Sequence, residues 1–135
     1  MMRFDAIGIV VADMGKALAF YRLLGLDAPL EADGEGHVEV EVVPGFRVMF
    51  DTIEVIERFA TYEAPSGGRA VSFAVRCDSP AAVDTCFVSV IEAGHVGEAE
   101  PFDAFWGQRY ATVVDPDGNS VDLYAELQGE LENTS

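Results

Sequence analysis

The sequence predicts an α+β fold made of two βαβββ modules whose curved mixed sheets enclose a cleft. Three observations carry this. At 135 residues the chain suits one domain with a real core and is too short for two independent ones. Strand-like period-two runs alternate with helical-period runs. The succession strand, aspartate, amphipathic helix, glycine, strands occurs twice, once from Phe4 and again from Ala70.

Phe4 to Val11 is a β-rich run, and Asp13 stands where a helix N-cap is wanted. Met14, Ala17, Leu18, Tyr21 and Leu24 then recur at helical spacing until Gly25 ends the helix. From His37 to Val42 apolar and polar residues alternate, which describes a half-buried strand. Pro44-Gly45 turns the chain, and Phe46 to Thr52 returns as the second arm of a hairpin. Module one is therefore placed at about residues 4–52.

Residues 53–69 read as a linker, with one or two helical turns over Ile53–Ala60 before Glu63-Ala-Pro-Ser-Gly-Gly. Module two is placed at about residues 70–126. Ala70–Val75 is a strand, and Ser79-Pro80 supplies an N-cap with proline at the first helical position. Val83, Phe87, Val90 and Ile91 line one helical face, which Gly94 closes. His95–Glu100 and Gln108–Val114 are strands. Asp115-Pro-Asp-Gly forms a type I turn leading into a last strand, Ser120–Ala125. The polar tail, residues 128–135, is expected to fray.

Eight basic residues against twenty-four acidic ones give a formal charge of −16. Such a chain repels phosphate backbones and anionic membranes, so neither nucleic acid nor membrane is an expected partner, and a cationic guest is favoured. No apolar run reaches the roughly 18 residues of a spanning helix. The N-terminus shows no basic stretch followed by an apolar one, so a cytoplasmic location is expected. Cys77 and Cys86 lack C-x-x-C spacing and read as two reduced core cysteines.

Three stretches carry a family resemblance: Ile9-Val-Val-Ala-Asp-Met with Phe20-Tyr-Arg-Leu-Leu-Gly-Leu, Phe73-Ala-Val-Arg-Cys-Asp-Ser, and the long run from Phe105-Trp-Gly-Gln-Arg-Tyr through Asp115-Pro-Asp-Gly-Asn to Leu123-Tyr. On these the chain resembles the vicinal-oxygen-chelate superfamily of glyoxalases, extradiol dioxygenases and bleomycin-resistance proteins, on the bleomycin-resistance side. The resemblance implies paired βαβββ modules, ligand sites in the clefts, and a homodimer. In the family's metal enzymes it further implies a divalent ion held by His or Gln on each first strand and Glu or His on each last strand, an open site suited to two substrate oxygens.

Those positions fall on unpromising residues here. The first-strand positions are Ala6 in module one and Val71 or Ser72 in module two. The last-strand positions are Met49 or Asp51 in module one and Asp122 in module two. Asp51 and Asp122 are thus the only, and weak, metal candidates, and a tightly held ion normally needs three or four protein ligands. His37, Glu39 and Glu41 share one strand face at steps of about 7 Å. That triplet would seed a metal site, but any solvent-facing strand shows the same pattern. His95 reads as a surface residue at a strand start, and no serine or cysteine sits in a nucleophile motif.

Binding remains. Phe102, Phe105, Trp106 and Tyr110, with Phe59 and Tyr62 in the linker, offer faces for a planar or amphipathic ligand. Arg47, Met49 and Asp51 share a strand face, as do Asp122 and Tyr124. The reading that follows is a non-enzymatic, metal-free, cofactor-free binder of a small molecule such as a cationic drug or metabolite. The alternative is a divalent-metal lyase, isomerase or dioxygenase with a rearranged site. A third is a regulatory module with an empty cleft.

Overall fold

The computed structural model describes residues 1–65 and 69–127. The expected fraying of the tail falls on residues 128–135, outside the described residues. The chain divides into two compact units, Met1–Ser66 and Gly67–Ser135.

In the first unit, β1 (Ala6–Val11) is followed by α1 (Met14–Leu23), a 3-10 turn over Leu30–Gly34, β2 (His37–Val43), β3 (Phe46–Thr52) and the four-residue α2 (Ile53–Ile56). The Asp13 carboxylate accepts from the Lys16 amide at 2.9 Å and starts α1. Gly25, at φ 101°, follows the helix in the left-handed conformation that a side chain disfavours. Arg22 in the last helical turn donates to the carbonyls of Ala28 and Pro29 and to Asp33, fixing the 3-10 turn against the helix end.

The sheet order is β1-β3-β2, with β1 parallel and β2 antiparallel to β3. Between α1 and β2 the described chain carries the 3-10 turn, so this unit reads β-α-β-β, one strand shorter than the second. Strand alternation sorts its residues cleanly. Ile9, Val11, Val38, Val40 and Phe50 are buried with Ala17, Leu18, Phe20 and Tyr21 of α1, and the Tyr21 and Phe50 rings meet at 5.6 Å. The opposite face carries His37, Glu39 and Glu41 beside Asp51, Met49 and Arg47, flanked on β1 by Val10, Gly8 and Ala6.

The second unit has the full βαβββ order: β4 (Phe73–Arg76), α3 (Pro80–Glu92), β5 (Val96–Asp103), β6 (Gln108–Val114) and β7 (Ser120–Glu126). Its sheet runs β4-β7-β6-β5, with only the β4–β7 pair parallel. The Ser79 hydroxyl caps α3 by accepting from the Ala82 amide at 3.1 Å, with Pro80 entering at the first turn. Of the four residues placed on the packing face of α3, Val83 and Val90 are fully buried, whereas Ile91 stays partly in solvent. They cover Ala111, Val113, Val121, Leu123 and Ala125, the buried alternates of β6 and β7.

Two strands differ from expectation. β4 begins at Phe73 rather than Ala70, because Arg69 to Ser72 lie exposed outside the ladder. β5 extends to Asp103 rather than ending at Glu100. Pro101 suggests a break, but it sits on an edge strand with two register shifts, where the missing amide is tolerated.

Candidate functional site

In each unit the sheet face turned away from the helix carries the sequence-predicted candidates. In the first unit the His37 imidazole links two strands: Nδ1 meets Asp51 Oδ1 at 2.5 Å and Nε2 meets Glu39 Oε2 at 2.8 Å. Arg47 continues the chain of charges, donating to Glu39 Oε1 and to Asp5 Oδ2, both at 2.6 Å. The hydrogen bond to Glu39, then that to Asp51, raises the His37 pKa above its ordinary value, the small burial opposing. Both ring nitrogens therefore face carboxylates, an arrangement that suits an imidazolium and leaves no lone pair for a cation. Glu41 accepts instead from the Gly45 amide at the hairpin turn.

The register on β1 answers what the hairpin left open. Ala6 lies beside Arg47, Gly8 beside Met49 and Val10 beside Asp51. No side chain at these first-strand positions is a donor.

In the second unit the face turned away from the helix is Gln108, Tyr110 and Thr112 of β6 beside Glu126, Tyr124 and Asp122 of β7. Phe102 joins from β5 as the direct partner of Tyr110. It is a strand residue rather than part of a loop, and only Phe105 and Trp106 occupy the β5–β6 turn. Gly107, at φ 93°, gives that turn its left-handed residue. The rings form one cluster. Trp106 stands 5.1 Å from Tyr110, 5.0 Å from Phe105 and 6.3 Å from Phe102, all edge to face, the favoured geometry for such pairs. The indole N–H donates to Gln108 Oε1 at 2.8 Å, and Gln108 Nε2 donates to Glu126 at 2.9 Å. Trp106 nonetheless keeps 47% of its surface in solvent and Phe105 97%.

Asp122 is the buried carboxylate of this face, its side chain 8% exposed. It accepts from Thr112 Oγ1 at 2.9 Å, from Arg69 Nη1 at 3.1 and 3.3 Å and from Arg69 Nη2 at 3.3 Å, with Tyr110 next along the same face. Burial pushes its pKa up, but the hydrogen bonds from Tyr110, Arg69 and Thr112 outweigh that and leave it lowered. Tyr110 moves the other way: burial and then the bond to Asp122 push its pKa up to about 12. Arg69 also approaches Glu98 at 3.7 Å, and Ser120 holds Glu98 by a 2.7 Å bond. Tyr124 lies under the Arg76 guanidinium, 5.8 Å from the ring centroid.

The first-strand residue beside Asp122 is Ala74, not Val71 or Ser72, because β4 starts three residues later than its apolar run. None of these is a ligand of the His, Gln or Glu kind that the resemblance implies. Among the described residues no three His, Cys, Asp or Glu side chains are grouped to hold a metal ion. The donor set does not fit the divalent site implied by the resemblance: the first strands contribute Ala, Gly or Val, and the surviving carboxylates are engaged by His37 and by Arg69, Thr112 and Tyr110.

Phe59 and Tyr62 belong to the first unit, whereas the aromatic cluster belongs to the second. Sequence reasoning missed Arg69, Thr112 and Glu98. Thr112 was recoverable, since period two puts it on the face of Tyr110. Arg69 and Glu98 were not, because one lies outside any strand and the other sits among the bulges of β5.

An α+β pair of units, each with a helix packed behind a mixed sheet and the other sheet face turned away from it, defines the architectural class. The family model for the Glyoxalase/Bleomycin resistance protein/Dioxygenase superfamily matches residues 3–123. The chain belongs to that superfamily. A glyoxalase/bleomycin resistance protein/dioxygenase family enzyme from Burkholderia phytofirmans PsJN is similar at TM-score 0.73 and 19% identity, over 91% of this chain and 98% of that one. A glyoxalase-related enzyme from Fulvimarina pelagi is similar at TM-score 0.75 and 16% identity, over 93% and 89%. A glyoxalase/bleomycin resistance protein/dioxygenase from Nocardioides is similar at TM-score 0.69 and 26% identity, over 96% and 86%. No curated protein matches the sequence significantly. Among the described residues, no helix is long and apolar enough to cross a membrane.

Proposed function

We propose that the chain is a metal-free small-molecule binding protein whose guest is a planar cation lodged on the face of the second sheet turned away from its helix. The observation that carries this reading is a continuous path of chemistry. Trp106 contacts Tyr110 edge to face, and Tyr110 stands diagonally across the ladder from Asp122. A half-exposed indole thus leads toward a buried anionic carboxylate. Aromatic walls with one fixed polar group are the usual makeup of a small-ligand site. A cation over an aromatic face gains about 0.5–2 kcal/mol, more as water is excluded. The net charge of −16 adds a long-range attraction for cations.

The mechanism is capture rather than turnover. Tyr110, with its pKa pushed up to about 12, stays a hydrogen-bond donor at neutral pH and is no general base. Asp122 is held ionised by three donors, which suits a counter-charge and not a proton shuttle. The donor set described above supports the metal-free part of the reading.

Calorimetric titration of chelator-treated protein with planar cationic drugs and cationic glycopeptides tests it. Heat at a ratio of about one guest per chain, weakened by Trp106→Ala, is expected. No heat from any of them, or binding that returns only when a divalent metal is restored, would overturn it.

A further inference from the structure

Of the arginines hydrogen-bonded to a carboxylate among the described residues, Arg69 alone makes no bond under 3 Å, and Arg76 stands farther still from Glu126, at 3.8 Å. Arg22, Arg47 and Arg109 each make at least one bond of 2.6–2.9 Å to a carboxylate, the range of a strong charge-assisted bond. Arg69 meets Asp122 only at 3.1–3.3 Å. It reaches the carboxylate from residues 69–72, which belong to no helix or strand and are exposed. Its own side chain is 39% exposed, against 8% for Asp122. The carboxylate is thus fixed from the sheet by Thr112, while its cation arrives from outside the sheet on a far more exposed side chain.

A second carboxylate faces the same cation. Asp122 and Glu98 flank the same guanidinium, at 3.1 and 3.7 Å, and Ser120 pins Glu98 in place. Two carboxylates around one guanidinium leave the site negative. The aromatic cluster continues from it through Tyr110 to Trp106.

We propose that Arg69 is a resident occupant of the guest site, and that guests carrying a guanidinium or amidinium on a planar aromatic body bind by displacing it from Asp122. This rests on the binding function proposed above and adds its specificity and its regulation. A planar fork matches a carboxylate in two parallel bonds, which an ammonium does not. A guest of this class replaces the Arg69 bonds to Asp122 in kind and lays its ring toward Tyr110 and Trp106. Self-occupancy weakens guest binding by the fraction of time the site is open. A site closed about 90% of the time binds a competitor about tenfold more weakly than an open one. Arg69 also keeps Asp122 from lying buried without a cation when no guest is present, an arrangement that is costly.

The test uses the full chain, with Trp106, its single tryptophan, as the fluorescent reporter. Benzamidinium is titrated against its neutral counterpart benzamide, on wild type, Arg69→Gln, Arg69→Lys and the double variant Arg69→Gln/Asp122→Asn. Benzamidinium is expected to bind Arg69→Gln about tenfold more tightly than wild type, with benzamide changed less than twofold. The double variant is expected to lose the gain. Arg69→Lys keeps the charge and loses the fork, and is expected to gain about threefold. It carries the test alone if circular dichroism shows Arg69→Gln unfolded.

Equal benzamidinium affinity in wild type and the Arg69 variants would overturn the proposal while leaving the binding function standing. An equal gain for benzamide would do the same, by showing that Arg69 only fills space. Quenching by neither compound in any variant would overturn both.

Discussion

Tyr110 and Asp122 stand diagonally across the β6–β7 ladder, where the direct partners are Tyr110 with Tyr124 and Thr112 with Asp122, and each shifts the other's pKa. One tyrosine therefore belongs both to the aromatic cluster of the β5–β6 hairpin and to the buried charge at the centre of the sheet. The chemistry of the phenol is thereby tied to that of Asp122.

Ultraviolet absorbance follows this directly. Tyr110, with its folded-state pKa raised to about 12, is expected to ionise well above the ordinary tyrosine value of about 10. The sign is fixed by linkage: its contribution is complete below the unfolded value and is lost as pH rises through the folded one. Stability is therefore expected to fall between about pH 10 and 12, and less so in Tyr110→Phe. A late ionisation that persists in Tyr110→Phe would assign it elsewhere.

Tyr110→Phe itself leaves Asp122 with Thr112 and Arg69. Losing a hydrogen bond to a charged group is expected to cost about 1.5–3 kcal/mol in denaturant unfolding. A cost near zero would mean that the bond contributes nothing beyond what water supplies.

His37 offers a second pH signature, in the first unit. Its pKa is raised, by Glu39 and then Asp51, so its contribution is whole below the ordinary 6.5 and is lost as pH rises through the raised folded value. With a side chain 45% exposed the effect on stability is small. Proton NMR reads it better. The His37 ring is expected to titrate above the ordinary value, and Asp51→Asn or Glu39→Gln is expected to bring the midpoint down. An unchanged midpoint in both variants would show that the two bonds do not form in solution.

Gly97 tests the packing behind the candidate site. A Cβ there would meet Phe87 at 2.6 and 2.9 Å and Ile91 at 3.0 Å, so the tips of these α3 side chains must shift to admit any side chain on β5. Gly97→Ala is expected to cost about 1–3 kcal/mol, measured by urea unfolding. Phe87→Ala is expected to relieve part of that cost in the double variant, whereas strict additivity would place the strain elsewhere.

Local signals made most of this architecture legible. The caps Asp13 and Ser79 and the turn Asp115-Pro-Asp-Gly act within a few residues of themselves, so they are readable without tertiary context, and β3 and β6 fall where alternation put them. Alternation also placed Arg47, Met49 and Asp51 on one face, and Asp122 with Tyr124 on another. What could not be read was long-range. The parallel register that sets Ala74 beside Asp122 depends on where an edge strand starts, and Val71 is apolar without being paired. The Arg69 partner of Asp122 lies 53 residues away, at a separation no local pattern encodes. The strand missing from the first unit, relative to the second, has the same origin. Its segment folds instead as a 3-10 turn tied to Arg22 through side-chain bonds.

The central claim is that the face joining Trp106, Tyr110 and Asp122 receives the guest. Two-dimensional NMR of the 15N-labelled chain, titrated with a planar aromatic amidinium after chelator treatment, tests it most directly. The account predicts that the single indole N–H resonance of Trp106 and the amides of Tyr110, Thr112 and Asp122 shift together along one saturable curve. Shifts confined to the His37 face of the first unit, or no shift of the Trp106 indole at saturation, would contradict it.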